Sequence, residues 1–163
     1  MEVVNRIDQA DAEVVRGLYA ELRRFAAVVA PWDLDPDDVL HGALVRVLRM
    51  RRLRTLDDPG AYLRRAIVNH VRSELRRLRT RRLTLNSLRA STSEPTAVPY
   101  PSDIAELMRL RPVQRAVLFL HDVEGFSFEE VADMVGISAG NARVTASRAR
   151  RRLRSELIEG DRR

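Results

Sequence analysis

The chain of 163 residues contains no cysteine and no lysine, so all 29 of its basic residues are arginines. The absence of cysteine excludes disulfides and thiolate metal sites. No apolar run approaches the roughly 18 residues that suggest a membrane-spanning helix. The first five residues lack the basic start and apolar core of a signal peptide. We therefore expect a soluble, cytoplasmic protein with no membrane insertion.

Aromatic residues make up only 5% of the chain, and long alternating runs are missing, which argues against a β-sandwich. The three histidines (His41, His70 and His121) are far apart and show no metal-ligand spacing. The sequence has no Gly-rich phosphate loop and no nucleophile in a catalytic setting. These absences predict a protein that is not an enzyme and that has no cofactor, metal site or small-molecule substrate.

The net charge of +6 is unevenly distributed. Acidic residues concentrate in the first 58 positions, whereas residues 64–89 hold nine arginines and residues 143–154 hold six. Two separated basic blocks predict two contacts with a polyanion.

The most informative motif lies near the C-terminus. Ser127 and Glu130 have the spacing of a capping box, Gly136 suits the left-handed turn that ends a helix, and Ser138 can cap the next one. This pattern is typical of a helix-turn-helix, whose second helix enters the DNA major groove. A plain packing hairpin is the alternative. DNA binding is favoured because the second helix keeps only a narrow apolar stripe and is otherwise rich in arginine. The stripe consists of Ala142, Ala146, Ala149, Leu153 and Leu157.

Three helices are predicted in the first 82 residues. Apolar residues at steps of three and four predict the first at residues 11–30. Asp-Pro pairs then predict helix starts at Pro36 and Pro59, with the latter helix continuing to about Arg82. We expect Trp32, in the first connection, to be buried. The third helix has a single acidic residue, Glu74, so nearly all of its charged side chains are positive. A surface of that kind favours a polyanionic partner.

Residues 83–101 lose the helical period and contain three prolines, which predicts a flexible linker. The predicted fold is therefore all-α, with two small helical domains at residues 1–82 and 102–163. The second domain should begin with a cap at Ser102 or Asp103 and a short helix that carries Ile104, Leu107 and Met108. A helix starting at Pro112 and then the helix-turn-helix should follow.

With these elements in place, the chain resembles the extracytoplasmic-function group of bacterial sigma factors. Residues 110–118, 124–132, 136–138 and 147–153 resemble region 4 of that family. Residues 38–48 resemble its polymerase-binding helix. Residues 59–65, Asn69 and residues 75–77 resemble the helix that opens and reads the −10 element. The resemblance implies a specificity subunit that binds core RNA polymerase and directs it to promoter DNA.

The resemblance also implies site residues. Those expected to contact the −35 element are Ser138, Asn141, Arg143, Val144, Ser147, Arg148, Arg151 and Arg152. Those expected to contact the −10 element are Asp58, Tyr62, Arg64, Arg65, Asn69, Arg72, Ser73 and Arg76. Those expected to contact core polymerase are Asp38, His41, Leu44, Val45 and Leu48. An anti-sigma factor is a further expected partner.

Several positions depart from the family pattern. Family members usually carry a polar pair where this chain has His41 and Gly42, and a tryptophan where it has Tyr62. Ser73 replaces a usual aspartate, and Thr145 replaces a frequent arginine. These departures predict a divergent member with its own promoter preference.

The alternative function is a stand-alone transcriptional regulator of the LuxR type, which ends in a similar helix-turn-helix. That alternative leaves the arginine-rich helix at residues 59–82 without a role. It also calls for a ligand-binding or phospho-acceptor domain, which the sequence does not contain.

Overall fold

A computed structural model describes residues 8–88 and 107–160 of the chain, and in these ranges it contains helices and connections with no strand. The all-α prediction is therefore correct. In chain order the elements are α1 (Gln9–Val29), α2 (Pro36–Met50), a 3₁₀ turn (Leu53–Thr55), α3 (Pro59–Leu88), α4 (Pro112–Leu118), a π turn (Phe119–Val123), α5 (Phe128–Val135) and α6 (Ala139–Gly160). None of the described helices is long and apolar enough to cross a membrane.

Aspartates begin the N-terminal helices as the sequence predicts. The Asp35 carboxylate accepts a hydrogen bond of 2.7 Å from the N–H of Asp37, with Pro36 in the first turn. The Asp58 carboxylate accepts one of 2.8 Å from the N–H of Ala61. Each cap satisfies a backbone donor that lacks a partner within its helix, and each places a negative charge at the positive end of the helix dipole.

Helices α1, α2 and α3 pack into one helical group through their apolar faces. Leu22, Phe25, Leu40 and Ile67 are fully buried in it, and burying a side chain of this size contributes about 1.5–3 kcal/mol. The expectation for Trp32 was wrong, because its side chain is 43% exposed in the connection between α1 and α2.

Helix α3 is longer than predicted. It continues to Leu88, so the first six residues of the predicted linker, residues 83–88, are helical. The reason is that this stretch contains no proline or glycine to end a helix, the next proline being Pro95. The rest of the predicted linker and the predicted cap at Ser102 or Asp103 lie outside the described residues.

The second helical group consists of α4, α5 and α6. Pro112 opens α4 as predicted. The connection from the π turn to α5 contains Gly125 in a left-handed conformation, with φ of 78°, which glycine adopts without the steric cost that other residues meet.

Arg115 of α4 links the two groups. Its guanidinium is 2% exposed and donates to the carbonyl oxygens of Val28 (2.6 Å), Val29 (3.0 Å) and Ala30 (2.8 Å), where α1 ends. It also donates to the carbonyl oxygens of Met108 and Leu110. Burial lowers the pKa of Arg115 to about 10, so the group remains charged at neutral pH. The cation satisfies carbonyls that a helix end leaves unpaired and that carry the negative end of its dipole.

The buried apolar residues of both groups form one continuous cluster. Helix α4 packs against α1, and α5 packs against α3. The sequence did not predict this contact between the two helical groups. The division of the chain into two domains, at residues 1–82 and 102–163, stays a prediction.

Candidate nucleic-acid interface

Helices α5 and α6 form the predicted helix-turn-helix. The hydroxyl of Ser127 accepts a hydrogen bond from the N–H of Glu130 (3.2 Å), and the Glu130 carboxylate accepts one from the N–H of Ser127 (2.8 Å). Gly136 ends α5 with φ of 72°, and the Ser138 hydroxyl accepts from the N–H of Asn141 at the start of α6. All three capping predictions are confirmed, and together they fix the direction in which α6 leaves the turn.

Helix α6 separates a buried face of alanines from an exposed polar face. Ala142, Ala146 and Ala149 are fully buried, and their small side chains allow α6 to pack closely against α4 and α5. All eight side chains predicted to contact the −35 element are exposed. These are Ser138, Asn141, Arg143, Val144, Ser147, Arg148, Arg151 and Arg152. The structure therefore gathers them on one open surface, which we call the α6 surface.

Two acidic residues that the sequence analysis did not single out hold arginines of α6. Asp122 in the π turn accepts two hydrogen bonds from Arg150, one of them 3.0 Å long. This contact lowers the pKa of the Asp122 carboxyl. Glu129 at the start of α5 accepts a hydrogen bond from Arg143. Because these pairs join residues 14 and 28 positions apart, sequence spacing alone could not reveal them.

A second polar surface lies between α2 and α3. Six predicted −10 residues (Tyr62, Arg65, Asn69, Arg72, Ser73 and Arg76) line one cleft of about 410 Å³, together with residues that include Arg46, Met50 and His70. We call this the α2–α3 cleft. Burial lowers the pKa of Arg72, and the nearby Arg65 and Arg76 lower it further. The cleft therefore concentrates like charges, which favours an anionic occupant.

Arg64, unlike the other residues of the predicted −10 set, is buried. It is 5% exposed, and its Nη2 lies 3.2 Å from carboxylate oxygens of both Glu21 and Glu124. Its guanidinium also lies 5.4 Å from the centre of the Phe126 ring. Because the side chain turns into the contact between the two helical groups, it does not join the exposed members of the set. The eighth member, Asp58, is exposed and caps α3.

The second helical group also approaches the α2–α3 cleft. A Cβ atom at Gly136, in the turn of the helix-turn-helix, would lie 3.5 Å from Nε of Arg65. The turn of the helix-turn-helix thus lies beside Arg65, one of the arginines that line the cleft.

The predicted polymerase-binding residues divide between surface and core. Asp38, His41 and Val45 are exposed on one side of α2, and Leu48 is half-buried. Leu44 differs from these residues, because it is only 6% exposed and belongs to the core of the first helical group. Its apolar side chain lies on the face of α2 that packs against α1 and α3.

The structure explains the glycine at position 42. A Cβ atom there would lie 2.5 Å from Nε2 of His70, which is closer than real contacts allow. The space that Gly42 leaves on α2 is therefore filled by the imidazole of α3. Burial lowers the pKa of His70.

No group of three or more His, Asp or Glu residues is placed to hold a metal ion in the part of the chain that the structure describes. Residues 104–153 match the family model for sigma-70, region 4, which contains the helix-turn-helix.

Whole-chain relatives include the RNA polymerase sigma-E factor of Streptomyces coelicolor, 34% identical over 91% of this chain and 86% of the relative. They also include the RNA polymerase sigma factor CarQ of Myxococcus xanthus, 31% identical over 89% of this chain and 83% of the relative. These matches include the arginine-rich helix α3, which the LuxR-type alternative leaves without a role, so that alternative is not favoured.

Solved structures with a similar fold include the sigma factor RpoE in complex with the anti-sigma factor NepR from Bartonella quintana. Its TM-score is 0.69 at 22% identity, covering 90% of this chain and 96% of that one. CnrH, solved in complex with the cytosolic domain of CnrY, has a TM-score of 0.59 at 25% identity, covering 96% of this chain and 92% of that one. Sequence identity over nearly the whole length and a shared fold lead to one conclusion: the chain belongs to the extracytoplasmic-function group of RNA polymerase sigma factors.

Proposed function

We propose that this sigma factor binds core RNA polymerase and directs it to promoters through two DNA elements, one contacted by the α6 surface and one by the α2–α3 cleft. The observation that carries the proposal is the exposure of all eight predicted −35 residues on a single surface of a capped helix-turn-helix. Such a surface suits the major groove.

Within the α6 surface we assign different roles to different arginines. A guanidinium can donate two hydrogen bonds to one guanine, and each such pair discriminates against a wrong base by about 1–3 kcal/mol. We assign this role to Arg143 and Arg148 in the first half of α6. Arg151 and Arg152 lie further along the helix, and we assign them to phosphates, which supply salt-dependent affinity without sequence information.

For the α2–α3 cleft we propose a strand of the −10 element as the occupant. Arg65, Arg72 and Arg76 supply positive charge for its backbone. The exposed ring of Tyr62 offers a surface on which an unstacked base can pack. The cleft contains six of the eight predicted residues. Asp58 caps α3 outside the cleft, and Arg64 pairs with two glutamates.

We propose α2 as the polymerase-binding element, through its exposed Asp38, His41 and Val45. We also propose an anti-sigma factor as a protein partner. Its support is that the similar sigma factor RpoE was solved in complex with the anti-sigma factor NepR. CnrH was likewise solved in complex with another protein, the cytosolic domain of CnrY.

The proposed function is tested by mixing the purified protein with bacterial core polymerase and transcribing a library of genomic fragments. We expect a stable complex with core and initiation at a limited set of start sites. Protein that forms no core complex, or a complex that starts no specific transcript, would contradict the proposal.

A matched pair of variants makes the test specific to α2. Val45→Asp places a charge on its exposed side, whereas Val123→Asp places one on the π turn at a valine that is 71% exposed. We expect Val45→Asp to weaken the core complex and Val123→Asp to leave it intact.

A further inference from the structure

Arg143, one of the proposed base-contacting residues, is held by two side chains of the preceding helix. Its Nη2 donates a hydrogen bond to Oε1 of Glu129, and its guanidinium carbon lies 5.6 Å from the centre of the Phe128 ring. A carboxylate and an aromatic face therefore contact the same cation from one side. Both belong to the first turn of α5, not to α6.

The Phe128 ring is in turn fixed by the second helical group. It stacks on the imidazole of His121, with ring centres 3.9 Å apart and an interplanar angle of 25°. The His121 ring is held by a contact of 2.7 Å between its Nδ1 and the carbonyl oxygen of Phe126. The support for Arg143 is thus built into the fold before any DNA arrives.

Glu129 also places a negative charge beside a surface that meets a polyanion. A hydrogen bond from its own backbone N–H lowers the pKa of its carboxyl, and the bond from Arg143 lowers it further, so the group is ionised at neutral pH. If a DNA phosphate bound Arg143 in place of Glu129, the guanidinium would only exchange one anionic partner for another. The phosphate would also have to approach the ionised carboxylate, which repels it.

A guanine edge does not meet this obstacle. Its O6 and N7 are neutral acceptors that can accept two hydrogen bonds from one guanidinium. Because neither atom carries a full negative charge, Glu129 does not repel them as it repels a phosphate. The carboxylate therefore disfavours phosphate contacts of Arg143 more than it disfavours a correct base contact. This difference increases discrimination while it reduces overall affinity.

We propose that Glu129, supported by Phe128, is a positioning residue that holds Arg143 for a base contact and so contributes to −35 sequence discrimination. The inference rests on the proposed function, because it requires that the α6 surface contact DNA bases. Glu129 and Arg143 are both exposed, and exposed pairs contribute little to folding stability. The effect should therefore appear in sequence preference and leave stability unchanged.

The test is a selection of promoter sequences by holoenzyme, made from the full chain and core polymerase, from duplexes with a randomised upstream element. Four variants are compared with the wild type: Glu129→Gln, Arg143→Ala, the double variant, and Asp133→Asn as the control. Asp133 is exposed one turn further along α5, so the control removes the same charge from the same helix at a different place.

We expect Arg143→Ala to flatten the base preference at one or two positions. Glu129→Gln should reduce the preference at those same positions by about two- to fivefold and should raise affinity for unrelated DNA. The double variant should show no further loss there than Arg143→Ala alone, and Asp133→Asn should keep the wild-type preference.

The inference is overturned if Glu129→Gln and Asp133→Asn give the same preferences, or if Glu129→Gln acts at positions that Arg143→Ala leaves unchanged. In those cases the wild type still selects promoter sequences, so the proposed function survives. A wild-type holoenzyme that selects no sequence would instead contradict the proposed function and the inference together.

Discussion

Helices α3 and α6 carry arginine at similar density, with eight in the 30 residues of α3 and six in the 22 residues of α6, yet their surroundings differ. The eight residues of the α6 surface are all exposed, although Arg143 pairs with Glu129 of α5. The corresponding surface of α3 has Arg64 buried beneath the second helical group, and Arg65 lies beside the turn at Gly136. A run of arginines in the sequence therefore does not identify which of them contact a ligand, because some of them join parts of the same chain.

The largest expected effect concerns the arginine that joins the two groups. Arg115→Met keeps most of the apolar volume but leaves five carbonyl contacts without their donor. We expect the free energy of unfolding to fall by about 3 kcal/mol, measured by urea denaturation. The control is Arg16→Met, at an exposed position of α1, which should change it by less than about 0.5 kcal/mol. Equal effects would show that the hydrogen bonds of Arg115 contribute nothing to stability.

A second prediction compares two arginines within α3. Arg64→Met removes a buried cation from two carboxylates, so we expect a loss of about 2 kcal/mol in unfolding free energy. Arg76→Met, at an exposed position lining the α2–α3 cleft, should leave stability unchanged and weaken binding to promoter DNA. The distinction fails if the two variants lose stability equally, or if Arg64→Met alone impairs DNA binding.

A third prediction concerns the two roles proposed for α6. Arg148→Ala should relax base preference at one or two −35 positions, whereas Arg152→Ala should mainly reduce the salt dependence of binding, by a slope of about one. Both quantities come from DNA affinities of the holoenzyme measured over a range of salt concentrations. Identical outcomes for the two variants would remove the distinction between base and phosphate contacts.

The smallest expected effect is a dependence of stability on pH at the contact of α2 with α3. Because burial lowers the pKa of His70 in the folded protein, the unfolded chain takes up the proton first as pH falls. Stability should therefore decrease below about pH 6.5, the ordinary histidine value, and be fully present above it. His70→Gln should weaken this dependence in thermal unfolding followed from pH 7.5 to 5. An unchanged pH profile in that variant would assign the dependence to other groups.

Local sequence signals predicted most of the helices and four of their N-terminal caps, although the caps of α1 and α4 were missed. Asp35, Asp58, Ser127 and Ser138 act on backbone groups two or three residues away, so the information is contained in a few adjacent positions. The end of α3 was predicted six residues too early, because the polar residues after Arg82 were interpreted as part of a linker. Residues 83–88 contain no proline or glycine, and the helix continues through them.

The features that sequence analysis missed depend on contacts between distant parts of the chain. Arg115 bonds to carbonyls 85 to 87 positions away, and Arg64 pairs with a glutamate 60 positions away. Leu44 and Arg64 were assigned to surfaces by family resemblance, but helix packing turned both inward. No local pattern distinguishes a buried arginine from an exposed one in a helix that has eight.

The most direct test of the two-surface account is a hydroxyl-radical footprint of the holoenzyme on one promoter. The wild type should protect two separate patches. Arg148→Ala on α6 should weaken the upstream patch, and Arg72→Ala in the α2–α3 cleft should weaken the downstream patch. Loss of the same patch by both variants, or a single continuous footprint that neither variant changes, would contradict the account.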